Sequence, residues 1–181
     1  MINNNIYDTL LVSPNVIKSM GELDINVDDS VIVASIRVAQ NIYLEEVLGS
    51  KLMLKIKELV FNAINNKNDN INDEKYTDFK TLLDVFIRDV ISYKVASEMC
   101  VRNTLKLKNM GVVQLGDTNI NTVSLNDIKY LKDSYDTYYN SALNKMMNFI
   151  NSKKNTFKDY LHLECNDNNN TKYGNINLFL G

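Results

Sequence analysis

The chain has 181 residues and a formal net charge of −2, with 20 Lys and Arg against 22 Asp and Glu. That length suits one domain with a core large enough to stand without disulfides or metals, and the balanced charge argues against a dedicated nucleic-acid binder. Cys100 and Cys165 lie far apart, unlike a disulfide-stapled secreted scaffold, and no basic N-terminal segment leads into an apolar run of spanning length, so the reading is a soluble protein of a reducing cytosol with no membrane partner.

Tyr7 to Val12 is a short apolar run, after which Ser13 and Pro14 start a small helix ending at Gly21. Asp28, Asp29 and Ser30 open a second helix near Val31, their acidic groups complementing its positive N-terminal dipole. Ile32, Ile36, Ala39, Tyr43 and Val47 recur along it at helical spacing, and Gly49 closes it in the manner of a left-handed C-terminus. Ser50 to Asn65 reads as a third helix with Leu52, Ile56, Leu59 and Ala63 on one stripe. The polar segment 66–75 interrupts the pattern. From Thr77 to Lys108 the periodicity returns through Phe79, Leu82, Leu83, Phe86, Val90, Val95, Met99 and Leu105, long enough for two helices or one kinked rod with an unplaced break.

The texture then changes. Residues 111–123 read GVVQLGDTNINTV and carry the turn pair Gly116-Asp117 between two β-prone runs, which predicts a β-hairpin inserted among helices. Ser124 with Asp127 resembles a capping box and launches a last long helix. Ile128, Leu131, Tyr135, Tyr138, Ala142, Met146 and Phe149 line one side of it, with Tyr139, Leu143, Met147 and Ile150 adjoining. A short helical piece, Phe157 to Leu163, precedes an Asn-rich linker and the apolar ending KYGNINLFLG. Asn-rich patches at 2–5, 65–73 and 166–170 lie between periodic segments and mark loops; with Lys far outnumbering Arg, they give the composition an AT-rich imprint. The fold class is therefore mainly α, a bundle of about four to six helices with an inserted β-hairpin and an extended C-terminal arm. One helical domain spans 1–163 and the linker with its arm spans 164–181.

Catalytic chemistry is poorly represented. The glycines are scattered singly, with no phosphate-binding loop. His162 near Glu164 and Cys165 could suggest a nucleophile pair or part of a metal site, but a zinc site needs more His or Cys ligands, so His162 reads as an ordinary helix-end residue. Glu45 and Glu46 are adjacent on a helix and cannot face each other as a catalytic dyad would; they read as a solvated or interface edge. Asp84, Arg88 and Asp89 read as an exposed charged face. Tyr130, Tyr135, Tyr138 and Tyr139 could stack on bases, yet Asp133 and Asp136 intervene, and core or subunit-interface packing fits better.

The order of elements resembles the head-tail connector proteins of tailed bacteriophages, also called head-completion, adaptor or ring proteins, as in crAss-like and other Bacteroidales phages. The likeness runs from about Thr9 to Leu161 and rests on the acidic-capped helix ending Ala39-Gln40-x-x-Tyr43-Leu44-x-x-Val47-Leu48-Gly49, the long helical middle, the Gly111-Val112-Val113 hairpin and the final amphipathic helix. The polar loop 66–75 and the Asn-rich tail beyond Glu164 depart from that pattern. The resemblance implies a structural virion protein, not an enzyme, with no cofactor and no metal. It is assembled in the host cytoplasm and placed at the head-tail interface. Copies would form a homo-oligomeric ring of about twelve subunits beneath the portal protein, extend the DNA channel, dock the downstream tail or ring protein, and let DNA only pass through during genome ejection.

A head-to-tail ring needs two different patches on each subunit, expected here on the second helix and on the long fourth and last helices. The interface residues expected are Ile42, Tyr43, Glu45 and Glu46 on the second helix, Val112, Val113, Leu115, Asp117, Ile120 and Val123 on the hairpin, and Tyr173, Ile176, Leu178, Phe179 and Leu180 on the arm. Two rivals come from other classes: a small hydrolase built on His162 and Cys165, and a small helical DNA-binding or regulatory protein. The first lacks a ligand cluster, and the second lacks a basic recognition helix.

Overall fold

The computed structural model describes residues 5–20, 27–102 and 124–160, and the backbone of 105–108 and 111–114. Helices dominate. A single-turn helix, Ile6–Asp8, begins the described chain, its N-cap Asn5 accepting a hydrogen bond from the Tyr7 amide. Helix α1 (Pro14–Ser19) follows, with Pro14 in the first turn, where its missing N–H costs nothing.

Helix α2 (Asp29–Val38) starts where the acidic cluster predicts, because the Asp28 carboxylate accepts the Ser30 amide at 2.7 Å. It does not continue as a plain α-helix. Ala39–Leu44 is a π-helical segment, here π1, which passes into the short α3 (Glu45–Leu48). Each π turn takes in about one extra residue, so the buried stripe after Ile32 and Ile36 moves on to Gln40, Leu44 and Leu48. The expected stripe, which continued through Tyr43 and Val47, is corrected by that shift: both are only partly buried.

Gly49 joins α3 to α4 (Ser50–Ile64) with φ +76° and ψ 152°. Its φ is positive, but its ψ is extended, so it does not adopt the left-handed helical conformation anticipated. Its amide closes α3 on the Glu45 carbonyl and its carbonyl receives the Met53 amide. One residue therefore ends one helix and starts the next. Helix α4 buries Leu52, Met53, Ile56, Leu59 and Val60.

The polar segment after α4 is tied down more firmly than its composition suggests. Ile71 is buried and its amide donates to the Leu59 carbonyl, while Asn62 donates to the Asp69 carbonyl. Asp69 also pairs with Lys75 and accepts from the Tyr76 hydroxyl. A single turn, Glu74–Tyr76, leads into α5 (Thr77–Thr81). A second π-helical segment, π2 (Leu82–Ile87), then passes into α6 (Arg88–Arg102). The break left open in the sequence is thus a π insertion within a continuous helical run.

Helix α6 stops at Arg102, and Leu105, expected on the helical stripe, lies instead in a strand. Strand β1 (Leu105–Lys108) pairs antiparallel with β2 (Gly111–Gln114), Leu105 opposite Gln114 and Lys108 opposite Gly111. The Leu-Lys-Leu-Lys run alternates with period two, a strand pattern appended to a helical one. The strand expected at 111–115 thus pairs upstream. Its anticipated turn at Gly116-Asp117 and the return strand at 118–123 lie outside the described residues.

Helix α7 (Leu125–Ser152) begins with a complete capping box: Ser124 accepts the Asp127 amide at 3.2 Å and Asp127 accepts the Ser124 amide at 3.3 Å. Among the described residues it forms with α6 the most extensive helix pair, and α2 also packs on α6. Helix α8 (Lys154–Phe157) turns back so that Phe157 meets Phe79 at 5.1 Å and Phe149 at 6.2 Å between ring centroids. The short helical piece expected over 157–163 therefore starts earlier, and residues 161–163 lie outside the described residues. So do residues 164–181, the expected linker and arm.

Candidate functional site

Gln40 is the first polar residue to explain, being 1% exposed in the middle of π1. Both ends of its amide are engaged: Nε2 donates to the Thr9 carbonyl at 3.0 Å and Oε1 accepts the Leu11 amide at 3.2 Å. The π-helical register turns Gln40 inward, where it holds the N-terminal segment onto the bundle. Arg37 adds a more exposed link to Asp8 at 2.9 Å.

That segment forms one wall of a cleft of about 110 Å³, lined by Tyr7, Glu45, Ser50, Met53, Leu54 and Lys57. Lys57 lies on the Met53 face of α4 and is 5% exposed. Its ammonium donates to Asn41 Oδ1 at 2.8 Å and, more weakly, to the Tyr7 carbonyl at 3.4 Å. Among the described residues it forms no ion pair. Burial holds the ammonium below the usual lysine range; Glu45 and Asp8 pull it up and Arg37 pushes it further down.

A second polar assembly crosses π1, α6 and α7. Tyr43 donates its hydroxyl to Glu98 at 3.3 Å, Lys94 pairs with Glu98 at 3.5 Å, and the Lys94 ammonium sits 3.9 Å from the Tyr43 ring centroid and 5.5 Å from that of Tyr139. Next to it on the α6–α7 seam, Ser97 donates to Asp136 at 2.6 Å and Lys132 pairs with the same carboxylate. Burial alone would raise the Asp136 carboxyl; the hydrogen bonds from Lys132 and Ser97 prevail and hold it below the usual range. These groups are matched to one another, which marks the seam as packing and not as a reactive site.

The expected interface residues separate accordingly. Ile42 is 57% exposed and Glu46 is exposed, as an outer surface requires. Tyr43 instead turns inward to Glu98, and Glu45 lines the cleft, so Glu45 and Glu46 take different surroundings. Val112 and Val113 lie on β2. Leu115, Asp117, Ile120, Val123, Tyr173, Ile176, Leu178, Phe179 and Leu180 lie outside the described residues, as do His162 and Cys165. Of the tyrosines on α7, Tyr135 is buried, Tyr138 is half-exposed and packs on the Tyr93 ring at 5.6 Å, and Tyr130 is 77% exposed. Among the described residues no group of three or more His, Cys, Asp and Glu could hold a metal ion, and no helix is long and apolar enough to cross a membrane.

Sequence reasoning missed Gln40 and Lys57. For Lys57 a signal existed, since a lone cation at the position between Met53 and Val60 interrupts an apolar helix face.

With this geometry in view, a family model matches residues 44–170, which include α4, both seam helices and four residues of the cleft beyond Glu45. The chain belongs to the Family of unknown function (DUF6712). The matched region of this DUF6712 member begins at the last residue of π1 and leaves the N-terminal segment and α2 outside. No curated protein and no solved structure matches the chain.

Proposed function

We propose that this DUF6712 protein is a structural subunit of tailed-phage virions, one copy of a ring of about twelve that sits between portal and tail. There it would extend the DNA channel and dock the next tail component. The observation that carries the reading is the first half of α7, where Leu125, Tyr130, Leu131 and Tyr138 are all exposed on a helix whose second half buries Ala142, Leu143, Met146 and Ile150. A helix that ends its apolar stripe in solvent invites a partner.

A second, separate set of exposed apolar side chains, Val31 and Ile42, lies on α2 and π1. Two different patches are what a head-to-tail ring requires, and the occupant assigned to each is the other patch of a neighbouring copy. The resemblance in element order to head-tail connectors supports the same reading. The near-neutral net charge suits a channel through which DNA slides without strong phosphate attraction.

Sedimentation of the purified chain, alone and mixed with a candidate portal protein from the same genome, tests this. A ring-sized species with the portal is the expected result. Monomer under both conditions overturns it.

A further inference from the structure

The cleft around Lys57 is unlike the polar seam in one respect: among the described residues its cation forms no ion pair, although Glu45 lines the same cleft. Removing an ammonium from water is unfavourable unless an opposite charge or a full set of hydrogen bonds compensates. Lys57 has two neutral acceptors, one of them at 3.4 Å, for three donors. Tyr7, 68% exposed, and Leu54 form an apolar rim, and Met53 lies beneath. The space, about 110 Å³, admits a group of a few heavy atoms and no more.

We propose that this cleft is a carboxylate-binding site in which Lys57 supplies the counter-charge and Ser50 a hydroxyl donor. Glu45, which also lines the cleft, opposes the ligand and sets a modest affinity. The carboxylate could be a free small acid or a glutamate side chain presented by a docking protein; the recognition chemistry is the same. The inference is independent of the ring, since it rests on Lys57 and the cleft alone.

The test titrates sodium acetate and, separately, a blocked glutamate peptide into the full chain carrying ¹³C-methyl methionine, at ionic strength held constant with sodium chloride. The Met53 methyl signal, assigned with M53L, is the reporter. Saturable shifts with dissociation constants on the order of 1–10 mM are expected, and a tighter peptide curve identifies a protein-borne carboxylate as the source. K57M should abolish saturation. E45Q, which leaves Lys57 in place, should tighten binding about threefold by removing a like charge. The proposal is overturned by the absence of a saturable shift up to about 100 mM acetate, by an unchanged curve in folded K57M, or by an E45Q variant that binds more weakly.

Discussion

Gly49 shows how one backbone position joins two helices. Its φ of +76° with an extended ψ falls where residues with a Cβ pay heavily, although a Cβ built there meets nothing within 4 Å. The penalty is therefore backbone strain without a clash, and Gly49→Ala should destabilise the protein by about 1–3 kcal/mol. Urea unfolding with an unchanged slope and a lowered midpoint would establish this; an unchanged midpoint would contradict it. The glycine was visible in the sequence as a helix stop, because a positive φ favours that residue. Gln40 was not, because an amide among apolar residues declares its partners only once the Thr9 carbonyl and the Leu11 amide stand opposite it.

At the scale of elements, helices whose ends carry their own capping chemistry were legible. Asp28 before α2 and the Ser124–Asp127 box before α7 operate through local hydrogen bonds, so neighbouring residues suffice to predict them. What failed was strict helical periodicity across π1, where the inward positions advance to Gln40 and Leu44, and across the α6–β1 boundary, where period two replaces it. Tertiary packing chooses a π insertion, and no local propensity announces one. The cleft was half legible: Glu45 stood out, whereas Lys57 owes its burial to Asn41 on π1 and Tyr7 in the N-terminal segment, both distant in sequence.

The junction of α5 with α8 gives a pH prediction. Asp78 accepts from Thr156 at 2.7 Å and from Lys153 at 3.0 Å, and these two bonds, against a smaller opposing effect of burial, hold its carboxyl below the usual range. A depressed native carboxyl contributes stability that is present above the unfolded value and is lost as pH falls through the native one. The contribution should therefore be intact at neutral pH and disappear below about pH 4. Asp78→Asn should cost about 1–2 kcal/mol at pH 7, at the lower end because Lys153 is partly solvated, and should flatten the acid side of the stability profile. Parallel profiles for the variant and the parent would refute the assignment.

For the whole molecule, the question is what covers the exposed half of α7. Leu131→Glu lies outside the buried stripe, so its effect on folding should stay within about 0.5 kcal/mol. Its effect on assembly should be large, since burying a carboxylate in an apolar contact between copies costs far more. Helical circular dichroism preserved together with a loss of the ring-sized species is the expected pair of results; a ring that persists would place the subunit contact elsewhere. Deleting 116–121 offers a complementary measurement, expected to leave the helical bundle folded while weakening docking to the portal.

The two π insertions also bear on how related chains should be aligned. A deletion of one residue within a plain helix rotates everything beyond it by about 100°, which a packed core rarely tolerates. Within Ala39–Leu44 or Leu82–Ile87 the same deletion can be taken up by reverting to the commoner hydrogen-bond ladder. Of the two, Leu82–Ile87 lies within the region matched by the family model, so single-residue gaps inside the corresponding helix of DUF6712 members are physically admissible there, and an alignment that forbids them would misassign every inward-facing position downstream.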